Sequence, residues 1–225
     1  MNNILVVAAH PDDEVLGCGG TIARHVNNGD LVCVVFTADG ISARENNNLK
    51  QEIQTRMNQA KAACLVLGVN NIKFLNFPDN KLDTIPLLDI VIALEKIIVE
   101  FKPNTVYTHF AGDLNIDHRI TYQAVITACR PIPGQTVKQI YSFEVLSSTE
   151  WSSSISTSSS FKPQYYVDIS NTLDKKIKAL RCYDSEMRPS PHSRSYENAN
   201  ALVSLRGASV GISAAECYQV ERILN

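Results

Sequence analysis

Residues 3–14 read NILVVAAHPDDE. The first seven are short, continuous and aliphatic, the pattern of a strand buried on both faces. That strand ends by delivering His10, Pro11, Asp12, Asp13 and Glu14 to one place. Three adjacent carboxylates repel one another unless something positive sits among them. Gly19 and Gly20 follow a few residues later.

The same alternation continues outward from this stretch. A helix is expected over 16–28, a strand at 31–37 (LVCVVFT), and a long helix from about Gln51 to Leu67, stopped by Gly68. NIKFLNF (71–77) reads as the third strand, followed by a helix over roughly 84–101. NTVYTHF (104–110), a helix over about 118–129, and QIYSFEV (139–145) complete the pattern. Further on, FKPQYYVDIS restarts as strand, a helix is expected near 172–185, and another from about Tyr196.

Strands alternating with helices predict an α/β fold: a three-layer sandwich, a mostly parallel sheet covered by helices on both faces. Ligands in such sheets bind beyond the carboxyl ends of the strands. HPDDE, ADG (38–40), FPDN (77–80) and HFAGDLNIDH (109–118) each follow a strand, so the polar loops converge on one sheet edge. The 225 residues are expected to form one domain, with a Ser-rich loop at 147–160 and a C-terminal part, 161–225, packing on the core. The Ser-rich stretch suits a surface excursion and equally a lid near the site.

Composition removes several classes of function. Hydrophobic residues make up 44%, charged residues 20%, and the formal net charge is -2. With no basic run, nothing argues electrostatically for nucleic acid or a membrane surface. The most apolar helix, LLDIVIALEKIIVEF (87–101), carries four charges and falls short of the roughly 18 apolar residues of a membrane span. The N-terminal run lacks the basic flank of a signal peptide. Six cysteines stand singly, without zinc-ligand spacings, and read as reduced small hydrophobes. A cytoplasmic protein is expected, with a homo-oligomer left open.

His10 and Asp13 can turn toward one centre, and together make two thirds of a two-His, one-carboxylate site for Zn²⁺ or Fe²⁺. The third ligand should be a histidine on a neighbouring strand-end loop, and His118, after strand four, fits best. Asp12 can then face a water whose pKa a bound Zn²⁺ lowers to about 7, and accept its proton. Other readings stay open on these residues alone. Asp13 suits a helix cap, and His118 a helix-start histidine bonded to backbone. GCGGT does not match the glycine spacing of a dinucleotide loop, and the preceding carboxylates would repel a pyrophosphate.

AHPDDE followed by GCGGT resembles the PIG-L/LmbE-like N-acetylglucosaminyl deacetylases. RMNQAKAACLVLG (56–68), FPDN, DLNIDHR (113–119) and YDSEMRPSPHSRSYENANALVSLRGASVG (183–211) extend the resemblance over most of the chain. The resemblance implies a Rossmann-like fold, a divalent metal (usually Zn²⁺), and hydrolysis of an N-acetyl group from a small-molecule amino sugar or its conjugate. It implies His10, Asp13 and His118 as metal ligands and Asp12 as general base. It also implies Arg56, Asp79 and Asp117 near the substrate.

The second motif departs from the family pattern. Asn115 stands where many members carry a histidine, so a neutral amide is expected to steady the oxyanion. His109 and His192 are the alternatives. Gln59 replaces a family Glu. Arg194, with His192, is expected to hold a phosphate or carboxylate of a nucleotide- or lipid-linked sugar. Arg44 and Arg119 are weaker candidates for that work, and Tyr183 and Trp151 are candidate sugar-stacking aromatics.

Overall fold

A computed structural model describes residues 1–43, 48–152 and 160–225. Arg44 and half of the expected Ser-rich loop, residues 153–159, lie outside the described residues.

The chain order is β1 (Asn3–Ala8), α1 (Asp13–Asn27), β2 (Leu31–Ala38), α2 (Leu49–Leu67), β3 (Asn71–Phe77), α3 (Leu87–Phe101), β4 (Thr105–His109) and α4 (Ile116–Ala128). It continues with β5 (Gln139–Phe143), β6 (Tyr165–Asp168), α5 (Leu173–Leu180), α6 (Tyr196–Ala208) and β7 (Ala215–Ile223). The seven strands form one sheet in the order β3-β2-β1-β4-β5-β7-β6. The first five pair in parallel, and β7 runs antiparallel to both β5 and β6.

The continuous apolar run of β1 follows from burial on both faces. Ile4, Val6 and Ala8 join a core shared with α1, α2 and the C-terminal helices, while Leu5 and Val7 join a second core with α3 and α4. This is the three-layer α/β sandwich expected from the alternation. β1 lies between β2 and β4, where the strand order reverses, so its end opens into the crevice that such sheets use for ligands.

Three expectations need correction. α1 begins at Asp13, so the acidic cluster sits in a two-residue turn plus the first helical turn, not in a loop. The expected helix at 172–185 stops at Leu180 and continues as a tighter 3-10 turn over Arg181–Glu186. β7 was not anticipated: it pairs on both sides although half its length is partly exposed, so its pattern is neither strictly alternating nor continuous.

The glycines after HPDDE are there for close packing. A Cβ on Gly17 would meet the Phe143 ring at 2.3 Å, and one on Gly20 would meet Ile169 at 2.8 Å. α1 therefore lies hard against β5 and the segment after β6, which places its N-terminus over the sheet edge. Among the described residues, no helix is long and apolar enough to cross a membrane.

Candidate active site

The turn between β1 and α1 is forced into an unusual shape. Asp12 has φ 119°, a region that costs a non-glycine residue free energy and persists only where its surroundings over-determine it. The neighbours supply that constraint. Glu14 Oε2 accepts the Asp12 N–H at 2.9 Å, and Glu14 Oε1 accepts the Tyr183 hydroxyl at 2.7 Å. Glu14 thus acts as a buried brace, and burial pushes its carboxyl up to about 8. Asp13 does not cap α1. Its Oδ2 reaches back to the His10 N–H at 2.9 Å.

Three candidate ligands converge as expected. Asp13 Oδ2 lies 3.2 Å from His10 Nδ1 and 3.2 Å from His118 Nε2. One ligand atom from each of the three lies within 4.8 Å of the others. Asp13 is 1% exposed, and its Oδ1 has no hydrogen-bond partner. A buried carboxylate whose one oxygen faces two imidazoles and whose other oxygen lacks a donor is a place for a cation. Burial opposes charge on His118, yet Asp13 and Asp113 push its pKa up to about 9. Burial also opposes ionisation of Asp13, yet His118 and His10 hold its carboxyl well below the usual range. The cluster draws in positive charge, and the donor set, two imidazoles and a carboxylate, fits Zn²⁺ or Fe²⁺.

Each candidate ligand histidine is oriented from behind by a carboxylate. His10 Nε2 lies 3.0 Å from Asp117 Oδ2 and 3.1 Å from Asp79 Oδ1. His118 Nδ1 lies 3.1 Å from Asp113 Oδ1. Such partners set the tautomer and leave the other ring nitrogen free for metal. Asp113 was not singled out in the sequence, although it opens the DLNIDHR motif. It is nearly fully buried and also accepts from the Ser148 and Thr149 hydroxyls.

Asp117 was expected to meet substrate. Instead it is fully buried behind His10, accepting the backbone N–H groups of Asn80 (2.7 Å) and Leu82 (3.0 Å). It ties the loop after β3 to α4. His10, Asp79 and Asp117 also form a second ligand-spaced group that shares His10.

The ligand cluster opens into a cavity of about 570 Å³, lined among others by Asp12, Arg56, Asp79, Asn115, Trp151 and Arg194. Asn115 caps α4, its Oδ1 accepting the Asp117 N–H at 2.8 Å, which leaves its Nδ2 as the side-chain donor. Burial raises the pKa of Asp12 above the usual carboxylate range, opposed by Arg194, whose Nη1 sits 2.9 Å from Asp12 Oδ2. Arg56, nearly fully buried on α2, donates to Glu186.

The remaining candidates lie elsewhere. His109 is fully buried; its ring stacks on His118 at 3.9 Å, and its Nε2 accepts the Ala9 N–H at 2.8 Å. Burial holds its pKa well below normal, so it is a neutral support for His118. His192 is exposed, with its ring 5.6 Å from that of Trp151. Tyr183 is fully buried on Glu14 and has no face for a sugar. Arg119 turns back onto the Asp113 and Leu114 carbonyls.

Fold and site together define an α/β protein with a buried two-histidine, one-carboxylate centre and an acidic residue beside it in the same cavity. Residues 5–129 match the family model of the GlcNAc-PI de-N-acetylases, PIG-L, and the chain belongs to that family of N-deacetylase hydrolases. It is 32% identical to the uncharacterized deacetylase YaiS of Escherichia coli (strain K12), over 81% of this chain and 90% of that one. It is 28% identical to the 4-oxalmesaconate hydratase of Pseudomonas putida, over 79% and 71% of the two chains. Among solved structures it resembles the N,N'-diacetylchitobiose deacetylase of Pyrococcus horikoshii in complex with its inhibitor MPG. The TM-score is 0.79 at 22% identity, covering 98% of this chain and 84% of that one.

Proposed function

We propose that this chain is a metal-dependent hydrolase that removes the acetyl group from an N-acetylated amino sugar carried on a larger conjugate. The observation that carries the reading is the Asp13 carboxylate, its Oδ2 against His10 and His118 and its buried Oδ1 orphaned, with Asp12 lining the adjoining cavity. His10, Asp13 and His118 would hold a divalent cation, Zn²⁺ first and Fe²⁺ second. Such an ion lowers the pKa of a water to about 7 and polarises a carbonyl.

The chain's own groups do the rest. Asp12 accepts a proton from the attacking water as its oxygen bonds to the acetyl carbon. Its strained backbone and the Arg194 contact keep the carboxylate aimed into the cavity. Asn115 Nδ2 donates to the carbonyl oxygen as negative charge grows there; removing one such neutral donor from other enzymes costs about 3–4 kcal/mol. Asp12 then returns the proton to the sugar nitrogen, the C–N bond breaks, and acetate and the free amine leave. Asp113, Asp117 and His109 orient the histidines. Arg56 and Asp79 line the wall where the sugar hydroxyls would lie.

Acetate release from a panel of N-acetyl sugars, free, lipid-linked and nucleotide-linked, tests the reading. Release that depends on a divalent ion and disappears in Asp12→Asn supports it. Cleavage of a sugar–thiol conjugate alone would make the enzyme an amidase of a different pocket. Binding of sugar without any turnover would make the chain a binding module. Hydration of an unsaturated acid without acetate release would place it with the hydratase relative.

A further inference from the structure

Trp151 is the chain's one tryptophan, it is 51% exposed, and it lines the cavity that holds the ligand cluster. A large aromatic ring half in water is ordinary on a surface; here the ring is built in. The turn Thr149–Trp151 is tied to the metal centre, because the Thr149 hydroxyl donates to Asp113 Oδ2 at 2.6 Å and Asp113 holds His118. Glu150 accepts the Ser147 N–H at 2.6 Å and also accepts the Ser193 hydroxyl, which joins this turn to the loop of His192 and Arg194. The His192 ring stands edge-on to Trp151, 75° between planes, and its Nδ1 accepts the Arg194 N–H at 3.0 Å. The turn that carries the indole is therefore tied in place relative to His118.

Charge decides what such a platform would take. Two arginines line the cavity, and each already faces a carboxylate: Arg56 with Glu186, and Arg194 with Asp12. Asp79 adds a further acid to the same wall. Among the described residues the wall has no surplus positive charge with which to bind a diphosphate. A flat apolar face beside carboxylates and amides suits a pyranose ring, which offers C–H groups on one face and hydroxyl donors at its rim.

We propose that Trp151 is the stacking platform of a second saccharide subsite, occupied by the uncharged sugar next to the residue that loses its acetyl group. The inference rests on the hydrolase reading above and deepens it: the substrate is a neutral N-acetylated glycan or glycoside, not a nucleotide-linked sugar. The expectation from sequence that Arg194 clamps a phosphate is replaced by its pairing with Asp12.

The lone tryptophan is its own reporter. Wild-type protein is titrated with N-acetylglucosamine, N,N'-diacetylchitobiose and UDP-N-acetylglucosamine, with indole emission followed and acetate measured in parallel. The disaccharide should shift the emission and bind about tenfold more tightly than the monosaccharide. Trp151→Ala should erase that ratio in kcat/KM, and Trp151→Phe should restore most of it. The nucleotide sugar should bind no better than the monosaccharide at low salt. An unchanged disaccharide preference in Trp151→Ala overturns the subsite. So does salt-sensitive, tighter binding of the nucleotide sugar. Acetate release without an emission shift would retire the subsite and leave the hydrolase reading standing. An emission shift without acetate release would do the reverse.

Discussion

Helix α1 carries two buried clusters of charge, one at its N-terminus and one a turn and a half further on, and they are built to opposite specifications. At Cys18 the helix breaks (φ -148°, ψ 24°). Side chains take up backbone groups on both sides of the break. Lys176 Nζ donates to the Val15 and Leu16 carbonyls, both at 2.8 Å, and to Glu216 at 2.6 Å. Glu216 accepts the Gly20 and Thr21 N–H groups at 2.9 and 2.7 Å. This pair replaces the missing turn of helix and pins the C-terminal segment to α1. The N-terminal cluster keeps a strained Asp12 and an orphaned Asp13 oxygen. A buried cluster that is complete holds the fold. One left incomplete has free energy available for a ligand.

The contrast can be broken most forcefully at Asp12. Asp12→Asn should retain the metal and lose about 10²–10⁴ in turnover, since it removes a base and little packing. Metal analysis beside a rate assay checks this, and near-wild-type turnover would remove Asp12 from the role of base. At the complete cluster the effect should fall on stability. Lys176→Met should cost about 3–5 kcal/mol in denaturant unfolding, the usual penalty for stranding one partner of a buried pair. Adding Glu216→Gln should not restore it, because the freed groups of Val15, Leu16, Gly20 and Thr21 need both side chains.

Smaller changes sharpen the distinction within the incomplete cluster. Asp113→Asn keeps a hydrogen-bonding shape but removes the charge behind His118; metal affinity should fall by about 10–100-fold in a chelator competition. Glu14→Gln should be the mildest. Burial raises the Glu14 carboxyl to about 8, so it is protonated near neutral pH, and an amide replaces it closely. Unfolding stability should change by less than about 1 kcal/mol. The pH dependence should change as well. With its folded pKa raised, Glu14 contributes stability that is complete below its unfolded value, near 4.5, and is lost as pH rises through about 8; the amide should flatten that slope.

Much of the site was legible because its chemistry is local. HPDDE and DLNIDHR each carry candidate ligands in the segment that follows a strand, and the order of parallel strands brings those two ends together. Asp113 was in plain view but could not be separated from an ordinary turn residue, since its value lies in a contact with His118 and two hydroxyls from 148–149. Arg194 was read as a free cation because its partner, Asp12, is 182 residues away. Trp151 and Tyr183 looked alike as aromatics and have opposite fates, one at a cavity wall and one sealed on Glu14.

The sequence by itself determined the layer architecture, through apolar strands alternating with helices, and the candidate metal-binding groups, through residue types that suit few other tasks at that spacing. The tertiary structure decided which charges are matched. Pairings such as Arg194 with Asp12, Arg56 with Glu186 and Lys176 with Glu216 join distant parts of the chain. Charge is a property of a residue, but its neutralisation is a property of the space around it, and only folding creates that space.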